Sequence, residues 1–151
     1  MSNTPGTYIL VLHCDRCEPI EVGRLGQLEV QPGYYLYIGS AFGPGGVAAR
    51  IKHHRKPANR PHWHIDYLRR VCELVDVRRV YNEKCEHDWA RRLANTKAVT
   101  SPFAGFGSSD CDCYSHLFFS NGKPDVKLWR ALSQGMPLEK MNQYVGRDSE
   151  A

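Results

Sequence analysis

No stretch of this 151-residue chain approaches the eighteen or so consecutive apolar residues that a membrane-spanning helix needs, which argues against a helical membrane protein. The opening residues Met1-Ser2-Asn3-Thr4-Pro5 lack the basic-then-apolar layout of a secretory signal, so a soluble cytoplasmic protein is expected. Internal repeats and low-complexity runs are missing as well, which excludes solenoid and collagen-like architectures and gives no sign of disorder. Acidic residues are scarce in one region. Residues 50–70 hold seven Lys or Arg against the single acid Asp66, a local charge of +6 in a chain whose net charge is +4. Such a stripe, interleaved with His53, His54, His62 and His64, suits a phosphate backbone; it would equally serve as a solvated helix face.

What is present is ordinary globular material, with 42% hydrophobic and 24% charged residues over a length that suits one domain with one core. Six cysteines would make a disulfide framework in an exported protein. Without an export signal they read as reduced thiols or metal ligands.

Residue patterns predict a small α/β (α+β) domain. The apolar run Tyr8-Ile9-Leu10-Val11-Leu12-His13-Cys14 reads as a buried strand. Ile20-Glu21-Val22 and Leu28-Glu29-Val30 alternate around two glycines and read as a hairpin with one face exposed, continuing an antiparallel sheet. Pro32-Gly33 turns the chain into Tyr34-Tyr35-Leu36-Tyr37-Ile38, closed by Gly39. A helix is expected over residues 47–54, ending before Pro57 and placing Arg50 and His54 on one face. A second helix with Pro61 in its first turn has Ile65, Leu68 and Cys72 as its stripe, and a strand over residues 74–81 follows. Residues 83–95 suit a helix capped by Asn82, with Cys85, Trp89 and Leu93 inward and Glu86 to the side. A loop over residues 101–112, a strand over 116–119 and two weak helical stretches over 126–132 and 138–145 complete the pattern. The division expected is a domain over residues 1–120 and a C-terminal extension over 121–151, packed on it or trailing it.

Hydrolysis of a phosphodiester needs a deprotonated nucleophile, a cation for the phosphate oxygens and leaving group, and an additional positive donor. The residue types for that task occur in the triplets Gly6-Thr7-Tyr8 and Tyr37-Ile38-Gly39, in Arg50-Ile51-Lys52-His53-His54, and in Glu86. In this order they resemble the GIY-YIG nuclease superfamily, and more closely its DUF123 branch, which occurs alone or fused to DNA-repair glycosylases. Three further stretches are similar to that branch: residues 62–68, residues 86–90, and residues 106–113 running into Ser115-His116-Leu117. The resemblance spans roughly residues 6–119. The segment between Tyr8 and Tyr37 is longer than the short hairpin typical of the superfamily, as the branch's inserted strands require.

The resemblance implies a mainly antiparallel central sheet flanked by helices and a metal-dependent endonuclease acting on DNA, with DNA repair or processing as its setting. It assigns Glu86 to one divalent cation, Mg2+ or Mn2+, which keeps several waters and takes one or two protein carboxylates. Tyr8 and Tyr37 would stand beside the attacking water, with Tyr8 as the general base; Arg50 would clamp the phosphate, and His54 would assist in proton transfer or phosphate binding. Lys52, Arg55, Lys56 and Arg60 would track the nucleic-acid backbone, and His64 would face phosphate or hold structure. Many superfamily members place an asparagine near the metal; here Ser108-Ser109-Asp110 stands at the comparable place, and Asp110 either fills that role or caps a turn. The competing reading is a nucleic-acid-binding module of the same fold without turnover.

Two metal readings are weaker. His62 and His64 diverge by about 200° on a helix and would converge only on a strand. Cys14, Cys17, Cys111 and Cys113 could supply a structural zinc, with His13 or His116 substituting, but Cys-x-Cys is tighter than the usual knuckle and buried free thiols are favoured.

Overall fold

The computed structural model describes residues 3–108 and 113–133; Asp110 and the expected helical stretch over 138–145 lie outside them. The elements run β1 (Gly6–Cys14), β2 (Glu18–Val22), β3 (Gly26–Val30), β4 (Gly33–Ala41), α1 (Gly46–His54), α2 (His64–Arg69), β5 (Glu73–Tyr81), α3 (Glu86–Ala94), β6 (Leu117–Ser120) and α4 (Val126–Ser133). The fold is α+β. Its centre is a four-stranded sheet of order β5-β1-β4-β6, with every neighbouring pair antiparallel.

β1 lies inside that sheet with both faces covered, which is why it reads as an unbroken apolar run. Tyr8, Leu10 and Leu12 point to one face and meet Val47 and Ile51 of α1 and Ile65 and Leu68 of α2. Ile9 and Val11 point to the other and meet Trp89 and Leu93 of α3 and Leu128, Trp129 and Leu132 of α4. Cys14 belongs to the first cluster and Cys113 packs against the second, so the sheet separates these two thiols, in keeping with the preference for free thiols over a shared zinc.

Three expectations need correcting. The hairpin β2-β3 does not join the main sheet but forms its own two-stranded sheet beside α2. The edges of β1 are taken by β4 and β5 and the outer edge of β4 by β6, so the hairpin instead buries Val22, Leu28 and Val30 against α2. Pro61 precedes α2 rather than sitting in its first turn. The Asp66 carboxylate accepts the N–H groups of His62 and Trp63 at 2.8 and 3.0 Å and so fixes the start at His64.

The third correction concerns α3, which begins at Glu86 and not at residue 83, and is not capped by Asn82. Asn82 takes a left-handed φ of 61°, which asparagine tolerates, and its N–H donates to the Pro5 carbonyl at 2.8 Å. Thr7 Oγ1 donates to the Glu83 carbonyl at 2.7 Å and accepts the Cys85 N–H at 3.0 Å. The middle residue of the first triplet thereby sets where α3 starts, and so where Glu86 stands.

Candidate functional site

β1 and β4 pair with Tyr8 opposite Gly39 and Leu10 opposite Tyr37, so both phenols rise from the α1/α2 face of the sheet. A Cβ at Gly39 would overlap the Tyr8 ring. The glycine of the second triplet is therefore the space that the tyrosine of the first one fills. Gly107 plays a related part beside Tyr37: its φ is 69°, and a Cβ there would stand 2.8 Å from the Tyr37 ring.

Tyr8 is only 1% exposed, and its hydroxyl lies 3.0 Å from His54 Nε2. Burial holds the phenol above its ordinary pKa; the charge and hydrogen bond of Arg50 offset part of that rise. Tyr37 is likewise held well above the ordinary value by burial, with Tyr8 and Glu86 pushing the same way. His54 is pushed down to about 4 by burial, which the Asp66 carboxylate opposes and His53, Arg50 and Arg69 reinforce. At neutral pH the pair is therefore an uncharged phenol and an uncharged imidazole.

Arg50 donates from Nη1 to the Ser40 carbonyl at 3.1 Å, and its guanidinium lies 4.4 Å from the centre of the Trp63 ring. This stack holds a planar fork of donors at the half-buried rim of the site. Glu86, in the first turn of α3, has a side chain 28% exposed, with Oε2 3.3 Å from His116 Nδ1 and Oε1 3.9 Å from His87 Nε2.

Tyr37, Arg50, Trp63, Glu86, His87 and His116 line one cleft of about 320 Å3. Of the five residues expected to form a site, three line this cleft, while Tyr8 and His54 lie behind it, joined to its wall by the contact of Tyr8 with Arg50. A larger cavity of about 770 Å3 opens beyond His87, against Ala90, Leu93, Val99 and Phe118. None of the five residues lines it.

Lys52, Lys56 and Arg60 stand exposed on α1 and the segment after it. Arg55 is half-buried, and its carbonyl accepts Nη2 of Arg69 at 2.7 Å while the His54 carbonyl accepts Nε at 2.8 Å. Arg69 in this way ties the end of α1 to α2. His64 accepts the Gly107 N–H on Nδ1 at 2.8 Å, and burial pushes the pKa of its ring down. One of its ring nitrogens is engaged in holding the loop beside Tyr37.

Sequence reasoning missed the approach of His116 to Glu86, the stack of Arg50 on Trp63 and the pairing of His53 Nε2 with Asp66 Oδ1 at 2.9 Å. The residues concerned lie in stretches already singled out, 50–54, 62–68, 86–90 and 115–117, but only the folded chain shows what each one touches. As for metals, Glu86 presents a single carboxylate to a cleft of about 320 Å3, which fits a hard divalent cation that retains most of its waters. A second group, His53, His54 and Asp66, has ligand atoms within 4.8 Å of one another.

Comparison with curated proteins and with solved structures returns no match. Residues 7–135 match the family described as a domain of unknown function, DUF123. The matched span holds Tyr8, Tyr37, Arg50, His54 and Glu86 and continues through α4, further than the motifs alone reached. The chain belongs to the DUF123 family.

Proposed function

We propose that this protein is a metal-dependent endonuclease of the GIY-YIG type, hydrolysing DNA phosphodiester bonds. The observation that carries the reading is the convergence of Tyr37, Arg50 and Glu86 on one cleft, backed by a Tyr8 hydroxyl 3.0 Å from His54 Nε2. Arg50 is the phosphate clamp, because its fork already faces the cleft and its stack on Trp63 limits the entropy lost on binding. An Mg2+ or Mn2+ ion held by Glu86 would supply charge for the non-bridging oxygens and the leaving group.

Burial keeps Tyr8 protonated, so it serves as a base only if its own proton leaves as another arrives. The bond to His54 provides for this: the phenolic oxygen takes a proton from the attacking water as the Tyr8 proton passes to Nε2. Tyr37 borders the cleft and orients that water. The exposed Lys52, Lys56 and Arg60 bind flanking phosphates, with Arg55 beside them, giving affinity without sequence preference.

The near-complete burial of Tyr8 favours a second reading, a nucleic-acid-binding module without turnover. Incubation with linear, nicked, branched and single-stranded DNA and with RNA, with and without Mg2+ or Mn2+, separates the two. Metal-dependent incision by the wild-type protein is expected, with loss of at least 100-fold in Glu86→Ala and unchanged binding. Undiminished cleavage by Glu86→Ala would sink the mechanism, and binding without incision of any substrate would favour the binding module.

A further inference from the structure

Asp66 has no part in the reaction proposed above, yet it lies buried directly behind the reacting pair. Its Oδ2 accepts the His62 and Trp63 N–H groups, and its Oδ1 lies 2.9 Å from His53 Nε2 and 3.9 Å from His54 Nδ1. His54 is 1% exposed; its Nε2 is engaged with Tyr8, while its Nδ1 has no hydrogen-bond partner among the described residues. A buried ring nitrogen in that state needs an explanation.

We propose that Asp66, held in place by His53, is the positioning residue and counter-charge for His54, so that Tyr8, His54 and Asp66 act as a triad. The proposal rests on the hydrolytic reading of the site. If Tyr8 donates to Nε2, the neutral ring carries its proton on Nδ1, pointing to the side where Asp66 Oδ1 stands. When the attacking water gives a proton to Tyr8 and Tyr8 gives its own to Nε2, His54 becomes an imidazolium. The new positive charge forms 3.9 Å from the carboxylate, and a ring and side-chain shift of about 1 Å would close that gap to a charge-assisted hydrogen bond. Asp66 stays ionised throughout. His54 gives its proton back through Tyr8 to solvent and the alkoxide leaving group takes one from solvent on the opposite side of the phosphorus, so each cycle consumes one water and yields one alcohol and one phosphate monoester.

The surrounding charges show why such a group is needed. His54 faces Arg50 and His53 on α1 and Arg69 on α2, all of which oppose its protonation, and Tyr8 and Tyr37 on the sheet, which are neutral. Asp66 is the acid that counters them; Glu86 acts on Tyr8 and Tyr37 from α3. Burial would raise the Asp66 pKa, but the Trp63 and His62 amides and His53 reverse the effect and hold it below the ordinary value. A transition-metal ion shared by His53, His54 and Asp66 is the rival use of the same atoms. The nearby Arg50 and Arg69 disfavour a dication there more than a single proton.

Long-range 1H–15N NMR of the imidazoles tests the proposal without reference to activity. The wild-type protein at pH 7 is expected to carry the His54 proton on Nδ1. Asp66→Asn, whose amide can donate toward Nδ1, is expected to shift that proton to Nε2 and to lower kcat at least 30-fold with KM changed less than threefold. A wild-type Nε2–H tautomer would overturn the proposal even if Asp66→Asn proves unable to fold. Stoichiometric zinc retained by the wild-type protein and lost in His53→Ala would overturn it too. The expected tautomer in a protein that cleaves nothing would sink the hydrolytic reading while leaving the Asp66–His54 assignment in place.

Discussion

Gly39→Ala is the substitution that most directly tests how the two triplets fit together. Gly39 has an ordinary strand conformation, so alanine brings no backbone strain; the whole effect comes from the added methyl meeting the ring of Tyr8 across the β1/β4 ladder. Tyr8 has little freedom to yield. It is 1% exposed, carries a hydrogen bond to His54, and sits among Val47, Ile51 and Ile65. Overpacking of this kind costs about 1–3 kcal/mol. Tyr8→Ala alone removes a buried aromatic side chain and should cost about 3–5 kcal/mol, by comparison with Phe→Ala changes in cores. The diagnostic is the double variant: with the ring gone, the alanine methyl enters free space, so Gly39→Ala should add less than about 0.5 kcal/mol. Urea denaturation followed by circular dichroism on the four proteins gives the cycle. An equal cost of Gly39→Ala in both backgrounds would show that the glycine is needed for some other reason and that the contact does not govern the pairing.

Three other outcomes are expected. His54 has a folded pKa near 4, below its ordinary 6.5, so the unfolded chain binds a proton more readily; its contribution to stability is complete above pH 6.5 and is lost as pH falls toward 4, by roughly 3 kcal/mol. Denaturation curves of wild type and His54→Gln between pH 7 and 4 should diverge accordingly, and parallel curves would refute the assignment. Tyr8→Phe keeps the ring and removes the hydroxyl, so it should fold within about 1.5 kcal/mol of wild type while losing most of the proposed cleavage; full activity would place the base on Tyr37. Replacing Lys52, Lys56 and Arg60 by alanine should flatten the salt dependence of DNA binding by about 0.9 in log–log slope for each side chain that meets a phosphate, and an unchanged slope would move the binding face elsewhere.

The strands were legible because their signals are local. The apolar run of β1 and the tyrosine-rich β4, bounded by Pro32-Gly33 and Gly39, could hardly be anything else. The start of α3 was not, because it is set by Thr7, whose hydroxyl bonds Cys85 from 78 residues away in the chain. Asn82 has the composition of a helix cap but serves as a left-handed turn tied to Pro5. The place of the hairpin was equally hidden: its alternation was clear, but whether it joins the main sheet depends on which strands have already occupied the edges of β1. In the site, the motif order was enough to nominate Tyr37, Arg50 and Glu86, which do share a cleft. The burial of Tyr8, the approach of His116 to Glu86 and the Arg50–Trp63 stack depend on contacts between distant elements, which no residue spacing encodes.

These contacts explain why the six triplet residues act as one unit. On β1, Gly6 allows close approach to the Val80 carbonyl, Thr7 places the start of α3, and Tyr8 meets His54. On β4, Tyr37 borders the cleft, Ile38 fills the core on the opposite face, and Gly39 makes room for Tyr8. Side chains alternate along a strand, so slipping the β1/β4 ladder by one residue would set Tyr8 against Ile38 or Ser40 instead of Gly39 and separate the tyrosines from their shared face. The register that brings the two phenols together is therefore the register in which the Tyr8 ring fits. The same glycine–tyrosine contact specifies strand pairing and assembles the site, which is why substitutions there should disturb folding and chemistry together, whereas removal of the Tyr8 hydroxyl alone should disturb only the chemistry.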